Sequence, residues 1–300
     1  MNQLSALLFQ SWYASDNDEK FHFRLFEFFV LSGSIYYAWS WADYIRQISD
    51  NIHPLGIAQH VPIDFMYGNM IPHLFAIVIT TLAFLIFLGR AHRYAHAIIL
   101  VLLHLLLVAR DAMGEIGHSA NFIGLSVLAL AVAYASCGQD GERRRMALGL
   151  TVFFIGLGYV SAALCKLIAT GVFWPDGMHL ALWIAEKKID TIARTGIYEA
   201  NPLQQMVLTH HSAGTLMLGF GLTAELLGFL IWWKRFRPYI TLLLVAMHTG
   251  ISLTMNIRFD SFILQLLILG LPWPIWKNKI LDYISKVSGS RKILNKNASV

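Results

Sequence analysis

Apolar runs of membrane-spanning length recur from one end of this 300-residue chain to the other. Charged residues are correspondingly scarce. They make up 14% of the chain, against about 25% in ordinary soluble domains, while 56% of the side chains are hydrophobic. Such a chain lacks the polar coat of a water-soluble globule. It is equally unlike a disordered segment or a disulfide scaffold. A bilayer admits helices or closed barrels, and these runs are too long and too unalternating for barrel strands. The expected fold is all-α, a polytopic membrane helical bundle in a single domain over 1–300.

A span needs roughly 17–25 mostly apolar residues. Eight segments qualify, at about 28–45, 70–88, 94–112, 119–136, 146–169, 213–233, 239–256 and 261–276, followed by a basic tail over 277–300. If these alternate across the bilayer, sixteen of the 23 Lys and Arg fall on one side, in clusters at Lys20/Arg24, Arg90/Arg93, Arg143–Arg145, Lys234–Arg237 and the tail. Basic residues in short loops mark the cytoplasmic side, so both termini are expected there, in a multi-pass protein of the cell membrane. The first twenty residues carry only a short apolar run, Ala6 to Phe9. The first span is therefore expected to anchor the chain. The two long connections, 46–69 and 170–212, face the other side. Within the second, Met178 to Arg194 is amphipathic and reads as a helix lying on the outer surface. Cys137 and Cys165 sit near opposite ends of consecutive spans and cannot bridge.

Ionisable residues inside spans are costly and are functional suspects by default. Lys166 lies about 30 Å along its span, near the outer boundary. Snorkelling to the interface would explain it, but Gly158, Ala162 and Lys166 recur at i, i+4 and i+8, a spacing that marks helix packing. An enclosed amine serves as a base or nucleophile more readily than a solvated ammonium. Glu225 shares a face with Gly214, Gly221 and Gly228 and is expected to look inward, paired with a cation or protonated. His248, on a stripe with Thr241 and Ser252, reads as a packing histidine. His118 and Asn121 open the fourth span at i, i+3, where free N–H groups favour an anion. His92 and His96 have a metal-ligand spacing, yet they face the cytoplasm while His210 and His211 lie outside. No metal is expected. The chain shows no phosphate loop and no serine nucleophile elbow.

The order of these residues resembles the HTTM family, the transmembrane module shared with vitamin K-dependent γ-carboxylase. The stretch YVSAALCKLIATGVFWPDGMHLAL (159–182) is similar to its signature through Tyr159, Ala162, Ala163, Lys166, Leu167, Trp174 and Gly177. Glu225–Leu227, the run 247–267 around His248, and HSANFIGLSVLAL (118–130) resemble further family segments. The resemblance implies an eight-span module with a reduced quinone of the vitamin K hydroquinone type as cofactor. It implies Lys166 as the base, His118 as an anion-stabilising partner, and Trp174, Tyr159 and Asn121 about the cofactor. It leaves Glu225 and His248 as polar links between helices. The carboxylase carries a large lumenal domain, whereas here 277–300 is a short basic tail. The expected substrate is accordingly small, a peptide or similar acceptor, and the partners are the lipid bilayer and that substrate rather than nucleic acid. The rival expectation is a non-catalytic quinone or lipid binder, or a maturation partner of an exported peptide. A transporter ranks third, for want of an inverted repeat.

Overall fold

Helices account for the regular structure of the chain in the computed structural model, which describes residues 3–47, 56–112 and 120–297. Among the described residues there is no strand. The order is α1 (Gln3–Leu8), α2 (Asp16–Gln47), α3 (Ile71–Phe87), α4 (Ala95–Asp111), α5 (Asn121–Ser136) and α6 (Asp140–Thr170). Then come α7 (Gly177–Thr195), α8 (Pro202–Thr209), α9 (His211–Leu226), α10 (Arg237–Met255), α11 (Asp260–Gly270) and α12 (Trp273–Asn297). Among the described residues three stretches are long and apolar enough to cross a membrane: Asp140–Phe173, His211–Trp232 and Arg237–Met255. Helices α3, α5 and α11 are apolar but shorter.

One large core joins α2 through α6 to α10 and α11, around fully buried Phe26, Leu31, Ile99, Leu106, Leu130, Leu148 and Ile155. Ion pairs fasten the start of α6 to the start of α2. Arg144 meets Asp16, and Arg145 Nε donates to Glu19 Oε1 at 3.2 Å. A second, smaller core of Leu180, Ala181, Ile184, Val207 and Leu218 joins α7, α8 and α9. The amphipathic segment of the second long connection is thus a helix that buries one face on its neighbours and leaves Leu182, Ile189 and Ile192 exposed.

Local signals set the ends of these elements. Gly171 closes α6 at φ +69°, ψ −159°, a conformation open to glycine alone in practice. Asp176 caps α7, accepting from the Met178 N–H at 2.9 Å, and Gly196 ends it in the left-handed region. Asn201 and Gln204 form a reciprocal capping box on α8, with Pro202 in its first turn. Helix α9 tightens into a 3₁₀ segment over Leu227–Trp232. This segment lies against α6, where the Gly228 backbone approaches Tyr159 so closely that an added Cβ would meet the tyrosine Cβ at 2.6 Å.

The eighth expected span, 261–276, is interrupted. Helix α11 stops at Gly270, Leu271 is extended, and α12 begins at Trp273. Pro272 explains the break, because it disfavours a helical residue before it and supplies no N–H. The Trp273 indole then donates back to the Leu267 carbonyl at 2.9 Å. An eleven-residue helix rises only about 16 Å. The segment after 276, expected as a tail, continues α12 and packs on α2, with Lys277 Nζ 4.5 Å from the Phe21 ring centre.

Candidate functional site

The inward face of α6 carries Val152, Ile155, Gly156, Tyr159 and Ala163, all buried. Lys166 follows Ala163 by three residues and Tyr159 by seven, so it continues that face. Helical side chains tilt toward the N-terminus of their helix. A lysine near the end of α6 therefore leans back into the bundle rather than outward. Its Nζ donates to both carboxylate oxygens of Glu225, at 2.5 and 2.6 Å. The Lys166 side chain is 30% exposed and that of Glu225 10%. The amine that stood alone in the sequence has an acid partner one helix away.

Trp174 completes this corner. The turn at Gly171 folds the chain back, and the indole ring centre comes to 4.7 Å from Lys166 Nζ, within reach of a cation–π contact. Trp183 lies beside it, with ring centres 6.3 Å apart. Below the pair opens a cavity of about 340 Å³ between α6, α7, α9 and α10. Its wall is apolar, with Leu180, Leu216, Phe220, Met247, Ile251 and Met255, and Lys166 and Glu225 occupy one corner. Gly221 and Gly250, on the facing helices α9 and α10, help to leave the space open. Leu216 and Phe220 also line a shallow surface groove with Val172 and Phe173, both largely exposed. Those two residues thus border both the cavity and the apolar flank of the molecule.

Tyr159 takes a different partner. Its hydroxyl lies 2.6 Å from His248 Nε2 in a hydrogen bond between α6 and α10. Aromatic rings enclose this pair. Phe259 and Phe262 flank His248 at 4.7 and 5.6 Å between centres, and Phe122 packs against Tyr159 at 5.5 Å. The bond lies behind the cavity wall and not on it.

Of the residues singled out in the sequence, the structure brings Lys166 and Trp174 together at one cavity and sets Tyr159 behind it. Asn121 is elsewhere. It lines a separate apolar cavity of about 380 Å³ with Tyr37, Trp41 and His104. His118 lies outside the described residues. Sequence reasoning gave Glu225 a linking role and missed that its partner is Lys166. The signal was present, since both residues sit on small-residue faces turned inward. The contributions of Met247 and Met255 to the cavity wall carried no such signal. Among the described residues no group of three or more His, Cys, Asp or Glu could hold a metal ion. No family model, curated protein or solved structure matches the chain.

Proposed function

We propose that this chain is a multi-pass membrane protein of the HTTM type that binds a reduced quinone in the cavity beside Lys166 and Glu225. We further propose that it uses this pair for quinol-dependent modification of a small substrate or peptide at the non-cytoplasmic face. The observation carrying this reading is an ion pair set into the wall of an otherwise apolar cavity. At about 340 Å³ the cavity is at the lower end of the range for small-molecule sites, about 300–1,000 Å³. Its lining suits an apolar ring, and its one polar corner suits a ring hydroxyl. Access from the lipid would run past Leu216 and Phe220, which border the exposed apolar groove. Both ends of the chain would be cytoplasmic, with the eighth crossing made by α11 and the start of α12.

A reduced quinone would supply a weakly acidic hydroxyl and two reducing electrons. The chain's own part is proton handling. Passing one proton from Lys166 Nζ to Glu225 Oε1 along the 2.5 Å bond leaves a neutral amine beside a carboxylic acid. That amine can then accept a proton from the bound hydroxyl, and the regained ammonium balances the negative charge left on the ligand. Trp174 would lie over the amine as part of the lid. His118 would steady an anion from the fourth span.

A second reading has its own support: the amine is already held by both carboxylate oxygens, as suits a site that binds a quinone or lipid without turning it over. Oxygen uptake by the full chain in nanodiscs, supplied with a reduced naphthoquinone, separates the two. The enzymatic reading expects uptake that Lys166→Ala abolishes while the folded helix content persists. Saturable binding without uptake establishes the binder instead. Absence of both overturns the site.

A further inference from the structure

At the other end of α6, away from Lys166, a second cavity of about 370 Å³ lies where α2, α4 and α6 begin and α3 and α5 end. Its character is opposite to that of the first. Lys20, Arg24, His92, His96, Arg143 and Arg144 all line it. We infer that this cavity binds a phosphate group, carried either by an anionic lipid headgroup or by a free phosphate.

Charge is the first argument. Four cations meet three carboxylates. Lys20 and Arg144 share Asp16, Arg24 pairs with Glu27 at 3.3 Å, and Arg143 pairs with Asp140 at 2.8 Å. One positive charge remains in excess before either histidine is counted. Unsatisfied donors are the second. Buried polar groups are ordinarily hydrogen-bonded. Here Arg143 Nε and Arg144 Nε are buried without an acceptor, and His96, 1% exposed, has no hydrogen-bond partner at either ring nitrogen. The acid nearest to His96 does not meet that need. Glu27 Oε1 is 3.6 Å from His96 Nε2 and already accepts from the Tyr134 hydroxyl at 2.8 Å. The His96 ring is held against Tyr134 at 4.3 Å between centres, and the Arg143 guanidinium lies 4.8 Å from the same ring. These nitrogens are enclosed rather than open to the cavity, and what a ligand meets there is the set of cationic side chains that line it, which fits several acceptor oxygens. Arginine's planar fork matches phosphate geometry.

The sequence noted His92 and His96 for their i, i+4 spacing and could place them in no metal site. An anion site absorbs that pair. It also accounts for Lys20, Arg24, Arg143 and Arg144 beyond their part in orienting the chain. The cavity lies at the helix ends where the basic residues concentrate, which is headgroup depth for a bilayer-spanning chain.

The full chain, purified and stripped of lipid, is titrated with inorganic phosphate alone in detergent. In parallel it is placed in nanodiscs of phosphatidylcholine with or without phosphatidic acid. Thermal unfolding and native mass spectrometry report the result. The expected outcome is a raised unfolding midpoint and retained phosphatidic acid, with affinity weakened at least fivefold in Arg143→Gln and in His96→Gln. Lys279→Gln, at an exposed basic residue of α12 that does not line the cavity, should behave as wild type. A response to inorganic phosphate alone supports the site and identifies a free phosphate as its ligand. If Arg143→Gln fails to fold, His96→Gln decides. Equal stabilisation by pure phosphatidylcholine, no response to either phosphate source, or equal loss in Lys279→Gln overturns the inference.

Discussion

Neither Lys166 nor Glu225 is tolerable alone in an apolar wall; each makes the other affordable. Removing one partner of a buried pair leaves an uncompensated charge and costs about 3–5 kcal/mol. With Lys166 30% exposed, the lower end applies. Glu225→Gln is expected to lose about 3 kcal/mol, read as a lower unfolding temperature in detergent. The double variant Lys166→Met/Glu225→Leu is expected to recover most of it while abolishing any quinol chemistry. A single variant as stable as wild type would mean the pair is solvated. The sequence showed that each residue faces inward, because small residues recur at helical spacing on both faces. It could not show that they meet, because the register between α6 and α9 is written in neither helix alone. That register depends on close contacts such as Gly228 on Tyr159 and Trp232 against Gly156. Asn121 illustrates the same limit. The sequence placed it at the start of a helix, where α5 begins, but could not give the neighbour it would face.

Among the elements, α7 decides whether the cavity is capped. It is held to α9 by a backbone approach too close for any side chain. A Cβ on Gly177 would lie 1.7 Å from the His211 carbonyl oxygen, and one on Gly214 would lie 2.9 Å from the Gly177 Cα. Gly177→Ala must push the two helices apart. Overpacking of this kind costs about 1–3 kcal/mol, and here it should also loosen ligand binding. Gly219→Ala on α9, whose Cβ would meet nothing within 4 Å, serves as the control and should be neutral or stabilising. Equal stability of the two variants would contradict the packing described. The length of the apolar runs made most of the longer helices legible, and the amphipathic pattern of 178–194 located α7 closely. The break at Leu271–Pro272 escaped because the apolar run 261–276 is continuous in composition. One backbone without an N–H outweighed that hydropathy.

The whole molecule poses the question of depth and orientation. Among the described residues three helices meet the length and hydropathy of a membrane span unaided. In the proposed topology α2, α3, α4, α5 and α11 cross with them, the chain alternates sides, and α7 lies outside while α12 lies inside. Cysteine accessibility checks this directly. With Cys137 and Cys165 replaced, Lys188→Cys on α7 should react with an impermeant maleimide on intact cells. Lys279→Cys on α12 should react only after permeabilisation. Both positions are exposed, so burial does not confound the comparison. Labelling of both from the same side would remove the odd number of crossings proposed between them. Overall composition made the all-helical, apolar character legible at this scale. The boundaries of the helices were less so, because helix bends and ends are decided by single residues.

The claim on which the rest depends is that a reduced ring lodges against the Lys166–Glu225 corner. A photoactivatable naphthoquinol, reacted with the full chain in nanodiscs and mapped by mass spectrometry, tests this most directly. The account predicts adducts on Phe220, Met247 or Met255, competed by unlabelled quinol and largely lost in Lys166→Ala. Adducts confined to the cavity of Asn121 and His104, or a pattern indifferent to Lys166, would contradict it.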